Sequence, residues 1–185
     1  MAITTKKKPA LFLDRDGVIN RDHGYVHKVE DFDFYPEIFE ICRDFSKSGI
    51  PIVVITNQSG IGRGKFSLDD FVSLNNWMLG EFRKQEVSIT KVFFCASAPG
   101  QEFDYRRKPE PGMFFEAAKE FDIDLNRSLM IGDKESDMIA ACSAEIRNRV
   151  ILGDYSLTGS AATALVQSHE GLREVVDRFL AELIV

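Results

Sequence analysis

Cysteine is scarce in this sequence, and long apolar runs are missing from it. The three cysteines, Cys42, Cys95 and Cys142, are widely spaced and odd in number, which argues against a disulfide framework and for a reducing, cytoplasmic compartment. No stretch approaches the ~20 uninterrupted apolar residues of a membrane-spanning helix, so no membrane association is expected. Basic residues near the N-terminus precede an apolar run, but that run stops at Asp14, too early for a secretory signal. Positive charge is in deficit: 23 Lys plus Arg stand against 29 Asp plus Glu, a net charge of −6. That balance disfavours nucleic-acid binding, which needs clustered positive charge, yet it leaves room for a small anionic substrate at one local basic site. Repeats and low-complexity segments are also lacking. What remains is a globular composition, 44% hydrophobic over 185 residues, which predicts one domain, residues 1–185, able to bury a core unaided. A monomer is expected.

Apolar runs and helical patterns alternate along the chain. Residues 10–13 form a continuous apolar run ending on an acid, as expected of a buried parallel strand. Residues 50–55, 89–95, 129–131 and 150–152 read as four further strands. Between them, Ile38, Ile41, Cys42 and Phe45 share one helical face, as do Phe71, Leu74, Met78 and Phe82. Ser67 suits the N-cap of the second helix. Further helices are expected after Pro111, over 137–144 and over 171–184. Five strand-helix alternations predict an α/β fold, a three-layer open sandwich with a mainly parallel, Rossmann-like sheet. The Ser-, Thr- and Gly-rich segment 153–168 reads as a mobile surface loop, with Tyr155 assigned to local packing.

The carboxylates fall at strand ends. Asp14 closes the first apolar run, Asp16 follows two residues later, and Asp133 closes another run after a glycine. Open parallel sheets bind ligands outside the carboxyl ends of their strands, where strand order reverses. If the first and fourth strands are neighbours, these three acids meet and suit Mg²⁺, a hard cation that takes oxygen donors. The competing reading is that they merely cap turns and a helix. Thr56 and the glycines of SGIGRG, at 60, 62 and 64, follow the second strand and suit an approaching phosphate, although a ligand-free loop fits as well. Arg107 and Lys108, followed by Pro109 and Pro111, are either a solvated pair or a counter-charge for an anion. Taken together, the residues describe phosphoryl transfer. Asp14 would attack phosphorus, Asp16 would move the proton, and Thr56 with Lys108 would offset the transferring charge.

Asp14-Arg15-Asp16-Gly17-Val18-Ile19-Asn20, Thr56-Asn57-Gln58-Ser59-Gly60, Arg107-Lys108-Pro109 and Gly132-Asp133-Lys134 with Asp137 resemble, in order and spacing, the four motifs of haloacid-dehalogenase-like phosphohydrolases. DRDGVINRDHGYV, TNQSGIGRG and RKPEPGM more closely resemble the heptose bisphosphate phosphatases, with the histidinol-phosphate phosphatases as near relatives. The resemblance implies a capless fold and Mg²⁺-dependent removal of the 7-phosphate from a small phosphorylated sugar. It also implies an aspartyl-phosphate on Asp14. Asp16 would act as general acid and base, its backbone carbonyl joining Asp14 and Asp133 as metal ligands, and Asp137 would order the loop behind them. Thr56 and Lys108 would hold the phosphoryl group. Asp22, His23, Gly24, Tyr25, Asn57, Gln58, Ser59, Arg107 and Lys134 would contact substrate, Arg107 taking the retained phosphate with its fork. A catalytically idle binding module of the same fold is the reading outside enzymes.

Relatives of this kind often carry zinc before the Arg-Lys-Pro motif, on a C-x-H pair followed by a C-x-C pair. Here Cys95 remains, but Ser97, Asp104 and Arg106 occupy the other three positions. One thiolate cannot supply a closed structural site, so no zinc is expected. The loop is expected to be held by packing of Pro99, Phe103 and Tyr105, or to be more mobile.

Overall fold

The computed structural model describes residues 7–184, and the segment ahead of Lys7 lies outside the described residues. Six strands, β1 (Leu11–Leu13), β2 (Ile52–Asn57), β3 (Lys91–Cys95), β4 (Leu129–Gly132), β5 (Asn148–Leu152) and β6 (Ala164–Val166), pair into one parallel sheet. Their spatial order is β3-β2-β1-β4-β5-β6. The order reverses between β1 and β4, so the crevice for ligands lies where their C-terminal ends meet. Leu13 pairs with Val54 on one side and Ile131 on the other, and the Asp14 amide donates to the Ile131 carbonyl at 3.0 Å.

Successive residues of a strand face opposite sides of a sheet, and two cores result. Leu11, Leu13, Ile52, Val54, Leu129 and Ile131 point to one side. There they meet α1 (Glu37–Lys47), α3 (Leu68–Lys84) and α6 (Leu172–Ile184), through residues such as Phe45, Met78 and Val176. Phe12, Val53, Ile55 and Met130 point to the other side, against α4 (Gly112–Phe121) and α5 (Glu135–Ser143). Phe12 meets Phe114 edge-on at 5.1 Å between centroids. The continuous apolar runs therefore follow from strands covered on both faces. Ser67 caps α3 as its sequence predicts, in a reciprocal box with Asp70.

Three expectations need correction. The segment 153–168 contains a sixth strand, β6, and is not simply a mobile loop. Thr163 exchanges hydrogen bonds with Arg149, and the Glu135 carboxylate accepts from Ser160 Oγ and the Ala161 amide. A three-residue edge strand with one buried side chain is too short to carry a periodic signal. Second, SGIGRG is not an open loop: Ser59–Gly62 is a helical turn, α2. A Cβ at Gly60 would lie 2.1 Å from the Phe66 ring and one at Gly62 2.6 Å from the Ala96 carbonyl, so these glycines serve close packing. Third, Phe103 is 79% exposed and cannot hold its loop by burial. Hydrogen bonds centred on Asp104 do so instead. Its Oδ2 accepts from Ser97 Oγ at 2.6 Å and Cys95 Sγ at 3.2 Å, and its Oδ1 from the Arg106 amide at 2.9 Å.

Candidate active site

A cleft of about 220 Å³ opens at the C-terminal ends of the strands. Asp14, Asp16, Asp22, Gly24, Tyr25, Thr56, Asn57, Gln58, Ser59, Lys108, Lys134 and Asp137, all singled out in the sequence, line it together with Gly60 and Ser136. A roomier depression of about 510 Å³, around Ile50, Thr90 and Phe121, sits at the opposite end of the sheet and lacks such a set of groups. Strand geometry delivers the chemistry: Asp14 follows β1, Thr56 ends the buried part of β2, and Asp133 follows β4.

Asp14, Asp133 and Asp137 each offer a carboxylate oxygen within 4.8 Å of the others. Lys108 joins them from across the cleft with its Nζ buried, 2.9 Å from Asp14 Oδ1, 2.6 Å from Asp137 Oδ1 and 2.8 Å from the Ile55 carbonyl. Burial alone would lower the Lys108 pKa, but Asp137 and Asp14 overcome it and raise the value, so the ammonium stays charged. Burial raises Asp14, opposed by Lys108. Burial and the neighbouring Asp14 charge push Asp133 up to about 7. With Asp22 included, four carboxylates face two ammoniums, Lys108 and Lys134, which leaves negative charge uncompensated.

The free valences say what fits. Asp133 Oδ1 is buried without a hydrogen-bond partner, an expensive state for a carboxylate oxygen, while Asp14 Oδ1 meets the Lys108 ammonium at 2.9 Å. By contrast, Asp137 is engaged on both sides, by Lys108 on Oδ1 and by the Lys134 amide on Oδ2 at 3.0 Å. An orphaned oxygen among acids that repel one another fits a divalent cation with oxygen ligands. Two glycines admit this crowding. A Cβ at Gly17, where φ is +93°, would lie 2.2 Å from Asp133 Oδ2, and one at Gly132 would lie 2.6 Å from the Asp137 Cβ.

Around the acids, Thr56 Oγ1 accepts from Gln58 Nε2 at 2.8 Å, leaving its own proton to be donated elsewhere. Asn57 braces the peptide that carries Lys108: Oδ1 accepts from the Lys108 amide at 3.1 Å and Nδ2 donates to its carbonyl at 3.0 Å. Lys134 Nζ bridges Asp22 at 3.2 Å and Asp133 at 3.6 Å. Burial raises Asp22, but a hydrogen bond from the Gly24 amide and the Lys134 charge bring its pKa below the ordinary value. Three residues singled out in the sequence stand outside the cleft lining: Asp133, which adjoins it through Asp14 and Asp137, and two whose side chains are engaged elsewhere. His23 Nε2 pairs with Asp33 at 2.8 Å, and Arg107 Nη1 donates to the Ser97 carbonyl at 2.6 Å.

Two features escape sequence reading. Arg15, between the two acids, is 1% exposed and grips Asp16; an arginine flanked by aspartates in a loop carries no mark of burial. Tyr155, assigned to packing, donates its hydroxyl to the Asp133 carbonyl at 2.7 Å, a contact between segments more than twenty residues apart.

The chain is similar to known proteins. Residues 105–179 match the HAD-hydrolase-like family model. The D-glycero-alpha-D-manno-heptose-1,7-bisphosphate 7-phosphatase of Campylobacter jejuni is 42% identical over 173 residues, spanning 94% of this chain and 96% of the relative. The D-glycero-beta-D-manno-heptose-1,7-bisphosphate 7-phosphatase of Helicobacter pylori is 46% identical over 151 residues, 81% of this chain and 85% of its own length. A HAD-like phosphatase of Mesorhizobium loti superposes with a TM-score of 0.83 at 34% identity, over 95% of this chain and 87% of that one.

Proposed function

Because the chain belongs to the D-glycero-D-manno-heptose-1,7-bisphosphate 7-phosphatase family of HAD-like phosphohydrolases, we propose that it hydrolyses the 7-phosphate of a heptose 1,7-bisphosphate through a phosphorylated Asp14. The observation that carries this reading is the meeting of Asp14, Asp133 and Asp137 around Lys108. We assign Mg²⁺ to the carboxylates of Asp14 and Asp133 and the backbone carbonyl of Asp16, with Asp137 ordering Lys108 and the Lys134 peptide. When bound, Mg²⁺ supplies positive charge that screens the attacking carboxylate from the phosphoryl oxygens.

Asp14 attacks phosphorus, a new P–O bond forms, and the bond to the sugar oxygen breaks. Asp16 gives its proton to that oxygen, so the product leaves as an alcohol. Asp16 then takes a proton from water, the resulting hydroxide attacks the phosphorus of the aspartyl-phosphate, and inorganic phosphate departs with Asp14 restored. Lys108 and the Thr56 hydroxyl offset charge on the transferring group. Residues 22–25, Asn57, Gln58, Ser59, Arg107 and Lys134 form the sugar side, in a site without a separate cap. The protein acts as a cytoplasmic monomer on a small phosphorylated sugar.

The test is kcat/KM on both anomers of heptose 1,7-bisphosphate, on fructose 1,6-bisphosphate and on histidinol phosphate. A heptose bisphosphate is expected to lead by at least about tenfold; preference for histidinol phosphate would reassign the substrate. Asp14→Asn is expected to cut turnover by at least about a thousandfold with the fold intact, and unchanged turnover would remove the nucleophile assignment.

A further inference from the structure

Arg15 is placed unlike any other cation of the described residues. Its side chain is 1% exposed, and its guanidinium carbon lies 5.8 Å from the Phe32 ring centroid and 5.9 Å from that of Phe71. From between these rings it turns back onto the adjacent residue. Nε and Nη2 donate to Asp16 Oδ1 at 3.1 and 2.7 Å, and Nη2 also reaches Oδ2 at 2.8 Å. Nη2 further donates to the Val26 carbonyl at 2.8 Å, at the end of the segment whose Asp22, Gly24 and Tyr25 line the cleft. The backbone closes round the same point, since the Arg15 carbonyl accepts from the amides of Val18, Ile19 and Asn20.

A buried ion pair is poor value as a stabiliser, because desolvation consumes most of the attraction. Nη1 is even left without a partner. A fold seeking stability alone would do as well with an apolar side chain between Phe32 and Phe71. What the guanidinium adds is direction, since its planar fork fixes the plane of the carboxylate it holds.

We propose that Arg15 is the positioning residue for Asp16, setting which carboxylate oxygen handles the proton. The two oxygens are not equivalent. Oδ1 accepts from Arg15 Nε, Arg15 Nη2 and Asn20 Nδ2, the last at 3.1 Å, and serves as the pivot. Oδ2 accepts from Arg15 Nη2 and from Gln58 Nε2 at 3.0 Å, and Gln58 lines the cleft. A leaving oxygen entering the cleft replaces Gln58 on Oδ2 while Arg15 and Asn20 keep Oδ1 in place. Through the Val26 carbonyl, the same guanidinium sets Asp16 relative to the sugar side of the cleft. The inference rests on the proton-transfer role proposed for Asp16 above.

A good leaving group needs no proton as its bond breaks, whereas a sugar alkoxide does. The test therefore compares kcat/KM on heptose bisphosphate and on p-nitrophenyl phosphate for the wild type, Arg15→Met, Arg15→Lys and Asp16→Asn. Arg15→Met is expected to lose at least about tenfold more on the sugar phosphate than on the aryl phosphate, as Asp16→Asn does. Arg15→Lys, which keeps the charge and loses the fork, is expected to lose about threefold more on the sugar phosphate, a partial rescue. Equal losses on both substrates in Arg15→Met would make Arg15 merely structural and overturn the inference. If Arg15→Met fails to fold, a wild-type substrate ratio in Arg15→Lys overturns it instead. An Asp16→Asn enzyme with an unchanged ratio removes the acid assignment itself, and the Arg15 inference with it.

Discussion

Lys108 Nζ lies 2.6 Å from Asp137 Oδ1, with both side chains buried, and the same ammonium is 2.9 Å from Asp14. Removing it strands two interior carboxylates. Lys108→Met is expected to lower stability by about 3–5 kcal/mol and to abolish turnover. Because a divalent cation then becomes the main source of compensating charge, Mg²⁺ is expected to raise the melting temperature more in this variant than in the wild type. Calorimetry with and without Mg²⁺ checks it, and equal shifts would mean that the cation does not sit against these acids.

Asp133 carries the pH dependence. Its pKa is raised from 3.8 to about 7, by burial and then by Asp14. The folded state therefore holds this proton between about pH 4 and 7 while the unfolded chain releases it, and the stability the proton confers is lost as pH rises through 7. Mg²⁺ needs the ionised form. Its apparent affinity is expected to fall about tenfold per pH unit below 7, and its stabilising effect to be larger at pH 8 than at pH 6. Thermal shifts over a Mg²⁺ titration at the two pH values measure both, and an affinity that does not change with pH would remove Asp133 from the metal.

Gly17 has no room for a side chain, since its Cβ would stand 2.2 Å from Asp133 Oδ2 at a φ of +93°. Gly17→Ala is expected to destabilise by about 1–3 kcal/mol and to weaken Mg²⁺ binding by about tenfold through displacement of Asp133. Isothermal titration of Mg²⁺ reads the second effect, and wild-type affinity would show that Asp133 is not displaced.

Asp104 holds the loop that runs from Cys95 to Lys108. Burial raises the Cys95 pKa, and the hydrogen bond to Asp104 raises it further; burial likewise raises Cys42, whereas Cys142 is exposed. Asp104→Ala is expected to turn one rapidly alkylated thiol into two and to cost about 1–3 kcal/mol. Thiol titration and thermal melting check this. Metal analysis of the wild type is expected to find no stoichiometric zinc, because Ser97, Asp104 and Arg106 cannot complete a site with one thiolate.

Much of this protein is legible in its sequence. Uninterrupted apolar runs over 10–13 and 50–55 mean strands covered on both faces, because a strand with one wet face would alternate. The positions of Asp14, Thr56 and Asp133 just beyond such runs place them at one end of a parallel sheet. Local order therefore specified the strands, their caps and the reactive groups at their ends. Other features depend on tertiary contacts that no periodicity along the chain reports. The three residues of β6 become a strand only because β5 offers an edge to pair with. Gly60 and Gly62 look like a phosphate loop until Phe66 and Ala96 are found against them. Phe103 looks like packing until it is found in solvent, with Asp104 tying the loop instead. Nothing in the sequence marks the burial of Arg15, which Phe32 and Phe71 flank and whose guanidinium donates a hydrogen bond to the Val26 carbonyl. Periodicity along the chain reports which face of an element is buried. The partner a polar group finds is decided by how the chain folds back on itself, over seven residues for Ser97 and Asp104 and over forty-two for Asp16 and Gln58.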